Sequence, residues 1–285
     1  MKNFGEDNLF SPEQADFVCQ RIKENLLLIV EIMAEQIRDG DKFYPVGWEV
    51  AFGPGKEIVG QRFRLPFPDK EIILTGQIDR VDKAQAGDAT YFRVIDYKTG
   101  DMNLRLDEIY YGIKVQLLLY MMMVEKNAEE KAEAGEAAGI FYFSARDYFL
   151  AAAAPMEKEA AKKKLMEKAK LNGYMIGGEE VQELYPTAGR KRLSKEEYDL
   201  LRRHLAKMIE EIGAEILAGE NSISPYLRNG AQSCTYCPYI SVCGFDTLLE
   251  NRLRYMYSLK DTVVWEKLGV KEGEDEVDGK SKEGH

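Results

Sequence analysis

The run Val115-Gln116-Leu117-Leu118-Leu119-Tyr120-Met121-Met122-Met123 is apolar on nearly every side of a helix. A helix with no polar face has to be enclosed by other elements. The run lies within a helical pattern from Asp107 to Val124. No window of the chain approaches the ~18 uninterrupted apolar residues of a membrane span, so burial must come from protein. At 285 residues the chain is long enough to bury a sizeable core without disulfide staples.

The flanking sequence says what surrounds this helix. Pro12 to Ile37 reads as an amphipathic helix, with Phe17, Ile22, Leu26, Ile29, Val30 and Met33 at helical spacing. Ser11-Pro12-Glu13 is its start signal and Gly40 ends it. Phe43 to Ala51 is extended, and so is Glu71 to Val81. Lys83 to Asp88 reads as a turn or loop, and Thr90 to Tyr97 is a third strand, rich in β-branched and aromatic residues. Two strands joined by a short Gly-containing loop form a hairpin. A further strand, Ala138 to Phe143, follows the buried helix, giving the order α-β-β-β-α-β. The 128–137 run of Ala, Glu, Lys and Gly reads as a solvated helix end or loop. Pro155 to Lys170 and Ser194 to Leu217 are two more predicted helices, separated by a loop-rich stretch with Gly173, Gly177, Gly178, Pro186 and Gly189. Val270 to His285, nearly all Glu, Asp, Lys and Gly, reads as a solvated tail, and Glu283-Gly284-His285 resembles the remnant of an expression tag.

Charge and cysteine usage narrow the function classes. With 39 Lys+Arg against 49 Asp+Glu the formal net charge is −10, which weakly opposes nucleic-acid binding, because phosphate contacts need cations. The N-terminus shows no basic region followed by an apolar one, so no secretory signal is read, and a cytoplasmic setting is expected. There, four cysteines are more often thiols or metal ligands than disulfides.

The chemistry-bearing residues cluster on the predicted hairpin. Asp79 stands in Gly76-Gln77-Ile78-Asp79-Arg80, and Asp96 and Lys98 in Ile95-Asp96-Tyr97-Lys98-Thr99-Gly100. Strand side chains alternate, so Asp96 and Lys98 share a face. Two carboxylates on adjacent strands beside one lysine suit Mg²⁺ or Mn²⁺. Such an ion polarises a phosphoryl oxygen and lowers the pKa of a bound water. Taken singly, Asp79–Arg80 and Asp96–Lys98 would read as surface ion pairs at strand ends, and it is the full constellation that points to chemistry. Glu49, on an earlier strand, is a further acid. Gln116 and Tyr120 are four apart on the buried helix and share a face, where polar groups need partners; alone they would be a satisfied core Gln and a packed Tyr. Lys162-Lys163-Lys164, Arg190-Lys191-Arg192 and His204 read as solvated helix or loop surface. No Gly-x-x-x-x-Gly-Lys-Ser/Thr phosphate loop is present.

Cys234, Cys237 and Cys243 are three thiols within ten residues, a spacing that can wrap one metal centre. Three is short of a tetrahedral zinc site, and no His lies nearby; an iron–sulfur cluster takes four Cys. Cys19, inside the first helix, reads as a small core side chain.

In combination these segments resemble the PD-(D/E)XK nuclease superfamily, in its RecB-like branch with an iron–sulfur staple, and within it the C-terminal domain of the B subunits of AddAB-type helicase–nucleases. The resemblance is carried by Gly76-Gln77-Ile78-Asp79-Arg80-Val81-Asp82, Val94-Ile95-Asp96-Tyr97-Lys98-Thr99-Gly100, the segment Tyr111 to Tyr120, Gly139-Ile140-Phe141-Tyr142-Phe143, Ser224-Pro225-Tyr226, and the cysteine segment ending Cys243-Gly244-Phe245-Asp246. It implies an α/β restriction-endonuclease-like αβββαβ core with a mixed central sheet, extra helices and a C-terminal cysteine-cluster segment. The implied organisation is a nuclease domain over 1–257, made of a core (12–145), a helical insertion (146–222) and a cysteine-cluster segment (223–257), then a C-terminal segment and tail over 258–285. It also implies that Asp79 and Asp96 hold the metal, that Lys98 is the catalytic lysine and that Glu49 is a supporting acid. Gln116 and Tyr120 would contact nucleic acid or organise the site. Cys234, Cys237 and Cys243 would hold three corners of a 4Fe–4S cluster, the fourth cysteine and an upstream histidine lying outside this chain, which then reads as an N-terminally truncated piece. The implied reaction is hydrolysis of one DNA strand emerging from a helicase in double-strand-break processing, with an AddA-like subunit as partner. A stand-alone RecB-like exonuclease of the CRISPR-adaptation kind, a catalytically silent DNA-binding or scaffolding module and a zinc-stapled interaction domain are the competing readings.

Overall fold

The computed structural model describes residues 11–39, 42–67, 69–100, 102–131, 135–144, 171–185, 191–246 and 251–269, together with residues 160 and 248. The helix expected over Pro155 to Lys170, apart from Ala160, lies outside the described residues, as do Lys162-Lys163-Lys164, Arg190 and the tail from Val270.

The described elements run α1 (Pro12–Asp39), β1 (Tyr44–Phe52), β2 (Arg62–Arg64), β3 (Glu71–Ile73), β4 (Gly76–Ala86), β5 (Ala89–Lys98), α2 (Leu106–Tyr110), α3 (Gln116–Glu130) and β6 (Gly135–Ser144). There follow β7 (Asn172–Ile176), α4 (Glu179–Gln182), β8 (Lys191–Leu193), α5 (Lys195–Ala218), β9 (Tyr226–Arg228), β10 (Ala231–Gln232), α6 (Ile240–Cys243), β11 (Arg254–Tyr255) and α7 (Asp261–Leu268). The central sheet has six strands in the order β1-β4-β5-β6-β7-β8. It is mixed: β1, β4 and β5 pair antiparallel, β5 and β6 parallel, β6 and β7 antiparallel, β7 and β8 parallel. A parallel pair needs a crossover, and α2 with α3 supplies the one between β5 and β6. This is the expected mixed α/β sheet flanked by helices.

The apolar helix is buried as its composition demands. Leu117, Leu118, Tyr120, Met121, Met122, Met123 and Val124 of α3 are all in the interior, against Val94 and Phe92 of β5, Ile140 and Tyr142 of β6, and Leu201 and Leu205 of α5. α5 opens on a reciprocal cap, Ser194 Oγ accepting from Glu197 N–H and the Glu197 carboxylate accepting from Ser194 N–H. The other sheet face carries Tyr91, Ile95, Phe141 and Phe143, covered by Ile29 and Ile32 of α1 and by Tyr185.

Several expectations are corrected. The single strand over Glu71–Val81 is two: β3 pairs with β2 in a separate hairpin and β4 joins the central sheet. Alternation continues through both, so the pattern is blind to the change of partner. The expected turn at Lys83–Asp88 is strand as far as Ala86, with a two-residue turn at Gly87-Asp88. The helix over Asp107–Val124 is broken between α2 and α3, where Gly112 takes a positive φ of 77°. The 128–137 run is helix to Glu130 and strand from Gly135. Only the C-terminal part of α1 reaches the core, for Phe17, Ile22, Leu26 and Val30 are exposed, and Cys19 is exposed rather than a core side chain. The loop-rich stretch around Gly173 adds strands to the central sheet instead. α7 packs Val264 into the main core.

Gly173 shows why β7 fits. A Cβ there would stand 2.0 Å from the Ile140 carbonyl oxygen on β6, a backbone atom that cannot step aside. Gly173→Ala is therefore expected to cost on the order of 1–3 kcal/mol, the usual penalty of overpacking. Urea unfolding measures this, and an unchanged midpoint would show that β7 is not seated on β6 in this register. Among the described residues no helix is long and apolar enough to cross a membrane.

Candidate active site

β4 and β5 pair with Arg80 opposite Ile95, which brings Asp79 and Asp96 to neighbouring positions at one end of the hairpin. Asp79 Oδ2 accepts a 2.8 Å hydrogen bond from the Tyr97 backbone N–H, so this carboxylate is held across the two strands. Asp96 is 1% exposed. Its Oδ2 meets the Lys98 ammonium, and its Oδ1 is buried with no hydrogen-bond partner.

Lys98 reaches the helix that follows. Its Nζ donates to Gln116 Oε1 at 3.1 Å, and Gln116 Nε2 donates to Tyr120 OH at 2.6 Å. The i, i+4 spacing on α3 aligns these two side chains. Lys98 Nζ also stands 5.8 Å from the centre of the Tyr142 ring on β6. One polar chain, Asp96–Lys98–Gln116–Tyr120, thus crosses from sheet to helix inside an apolar setting.

The burial has electrostatic consequences. Loss of solvent raises the Asp96 carboxyl above its ordinary value; Lys98 opposes the shift and Asp79 adds to it. Burial, then the Asp96 charge, pushes the Tyr142 phenol up to about 12. Burial also raises Tyr120, a direction only partly offset by its bond to Gln116. Both phenols stay protonated at neutral pH.

Glu49 is placed differently. It is exposed on β1 and takes a positive φ of 53°. Its Oε2 accepts from Gln77 Nε2 at 2.6 Å, and the same Nε2 donates to the Glu49 carbonyl at 3.2 Å. Its side chain is thereby tied to Gln77 and not to Asp79, Asp96 or Lys98. Gln77, the Tyr97 N–H and the Tyr142 ring were not singled out from sequence. The only signal was position: Gln77 and Tyr97 adjoin the two aspartates, and Tyr142 lies on the strand beside β5.

Arg80 is likewise not a surface partner of Asp79. It is buried and pairs with Asp82, its Nη1 lying 3.4 Å from Tyr97 OH. His204, read as helix surface, stacks on Tyr110 with ring centres 5.0 Å apart and lies 2.8 Å from the Tyr110 carbonyl through Nε2.

Asp79 and Asp96 are the residues that fit a divalent ion. The orphaned Asp96 Oδ1 is an anionic oxygen in a dry place, and a hard cation is its natural partner. Among the described residues no three His, Cys, Asp or Glu side chains gather as a metal-holding group. Mg²⁺ does not require three, since it keeps several waters and binds through one or two carboxylates plus phosphate oxygens.

The cysteines do not fit a cluster as they stand. Cys234 lies in a 3-10 turn (Ser233–Tyr236) closed by the Cys237 N–H to the Cys234 carbonyl, and Cys243 ends α6 through its own N–H to Tyr239. All three are free thiols, half-buried, and not gathered round one point. The segment follows its local backbone hydrogen bonds, because thiolate cages are organised by the metal they bind.

The sequence profile of the PD-(D/E)XK nuclease superfamily matches residues 5–244 of this chain. Among curated proteins, the chain is 31% identical over 289 residues to the B subunit of an ATP-dependent helicase/deoxyribonuclease of Thermoanaerobacter sp. (strain X514), covering 94% of this chain and 25% of that protein. Proteins of the same name from Bacillus licheniformis and Desulforudis audaxviator are 32% identical over 294 residues and 33% identical over 290, covering 95% and 94% of this chain and 25% of each relative. The chain thus spans about a quarter of the length of these relatives.

Proposed function

The chain belongs to the PD-(D/E)XK nuclease superfamily, and on that premise we propose that it is the deoxyribonuclease domain of a helicase–nuclease B subunit. It would hydrolyse phosphodiesters of one DNA strand as a Mg²⁺- or Mn²⁺-dependent exonuclease in double-strand-break repair and recombination, beside an AddA-like subunit in the bacterial cytoplasm. The observation that carries the reading is the buried Asp96 with an unmatched oxygen, set between Asp79 and Lys98.

Asp79 and Asp96 would hold the ion, which when bound polarises a phosphoryl oxygen and acidifies a water. Asp79 is pre-positioned by the Tyr97 N–H, so its carboxylate costs little reorganisation. Lys98 donates toward the phosphate, where negative charge grows as the water oxygen bonds to phosphorus and the P–O ester bond breaks. Gln116 orients that ammonium and is itself oriented by Tyr120. The low-dielectric wall of Tyr142 and α3 strengthens each of these interactions. Glu49 would join as a supporting acid only on leaving Gln77. No step runs through Cys234, Cys237 or Cys243.

The test is cleavage of end-labelled single-stranded DNA with Mg²⁺, with Mn²⁺ and with EDTA. Cleavage that requires metal is expected, and Lys98→Ala should lower its rate by about 10²–10³-fold, the usual loss of one charge-stabilising donor. DNA binding without cleavage by the wild-type chain with any metal would identify a catalytically silent DNA-binding or scaffolding module instead.

A further inference from the structure

The structure places an unusual strip at the C-terminal end of the fold. Asn251 to Lys260 contains Arg252, Arg254 and Lys260 and no acid, in a chain whose net charge is −10. Tyr255 is 61% exposed and Tyr257 71% exposed, so two aromatic rings stand in solvent between these cations. Arg252 and Lys260 are exposed and form no ion pair among the described residues. Leu253, Met256 and Leu259 are half-buried, and Leu259 packs against the main core. β11, inside the strip, is an edge strand of the small sheet ordered β10-β9-β11.

The strip is fastened, not loose. Arg254 N–H donates to the Pro225 carbonyl at 2.9 Å and Met256 N–H to the Leu227 carbonyl at 3.0 Å. Leu259 N–H donates to Asp107 Oδ2 at 3.1 Å, on α2. Asp107 and Glu108, the nearest acids on that helix, are neutralised by Arg228 at 2.7 and 3.1 Å, with Arg105 and Lys114 beside them. Their charge therefore does not oppose an anion on the strip. The Glu108 carbonyl in turn accepts from Ile113 N–H at 2.8 Å, in the turn that leads to Gln116. The strip and the active-site helix thus share one support.

We propose that Arg252, Arg254, Tyr255, Tyr257 and Lys260 form a binding platform for single-stranded nucleic acid, bases stacking on the tyrosines and phosphates meeting the cations. Exposed aromatic rings interleaved with positive charge are what sequence-tolerant single-strand binding uses. The site deepens the nuclease reading and rests on it for the nature of the ligand: it would hold the strand outside the catalytic hairpin.

The experiment is fluorescence anisotropy of a labelled oligothymidylate with the whole chain in EDTA, so that nothing is cut. Tyr255→Ala combined with Tyr257→Ala should weaken binding by about 30-fold or more, the loss of two stacking rings. The corresponding Phe pair should bind as wild type, because the stacking face remains. Arg252→Gln should flatten the dependence of log affinity on log salt by about 0.7. Wild-type affinity in the Ala pair overturns the platform and leaves the tyrosines to a protein contact; so does a wild-type chain that fails to bind the oligonucleotide. The nuclease reading is judged separately, by wild-type cleavage of DNA in Mg²⁺, and survives either result.

Discussion

Asp96→Asn is expected to abolish metal-dependent cleavage and to raise the melting temperature. The two effects share one cause. Asp96 is 1% exposed, and burial raises its carboxyl pKa despite the ammonium of Lys98. A raised carboxyl binds protons in the folded state at pH values where the unfolded chain has lost them. Stability therefore falls as pH rises from the ordinary carboxyl range through the raised value, and stays lower at neutral pH. Asparagine keeps the shape and carries no charge to desolvate, so the variant escapes this cost. It also loses the anionic oxygen that would hold the proposed divalent ion, whose transition-state stabilisation would be worth several kcal/mol, or about 10³-fold in rate. Cleavage rates and melting curves over about pH 4–8 read both effects. The stability gap should widen with pH. Wild-type cleavage by the variant would remove Asp96 from the reaction, and lost cleavage with a lowered melting temperature would make it a structural residue.

Asp82→Ala is expected to destabilise the fold by about 3–5 kcal/mol, the cost of breaking a buried charge cluster by removing one member. Asp82 is fully buried, with Oδ1 2.5 Å from Arg80 Nε and Oδ2 2.9 Å from Arg80 Nη2 and 2.8 Å from Arg93 Nε. Arg80 and Arg93 are 4% and 3% exposed. The Arg93 guanidinium stands 4.6 Å from the Phe43 ring centre, which helps to seat a cation in this core. Without their shared carboxylate both guanidiniums remain away from water. Urea unfolding gives the magnitude. Replacing all three together by Met, Leu and Met should recover most of the loss, because a well-packed apolar substitute for a buried ionic set is often neutral. A mild effect of Asp82→Ala alone would mean that the cluster is wetter than its geometry indicates.

The candidate hairpin was legible because strand parity is local. Asp96 and Lys98 share a face by alternation, and Gln116 and Tyr120 by helical spacing, whatever the rest of the chain does. The contact between these pairs, Lys98 to Gln116, joins residues 18 apart and depends on the break at Gly112, which the continuous apolar pattern hid. Glu49 was legible only as an acid on β1, because its left-handed backbone and the Gln77 side chain, which set its direction, depend on the neighbouring strand. Arg80, which taken alone could have been a surface partner of Asp79, is turned inward because the Asp82 carboxylate accepts from it there.

By itself the sequence determined the mixed α/β class, the main helices and strands of the αβββαβ order and the shared faces of Asp96 with Lys98 and of Gln116 with Tyr120, since periodicity and short-range spacing are properties of the chain alone. The tertiary structure decided which strand each strand pairs with and that the stretch around Gly173 joins the central sheet. It also decided which of two aspartate oxygens is left without a partner. These depend on contacts between residues far apart in the chain, and on burial, which changes the energy of a charge without changing the pattern that encodes it.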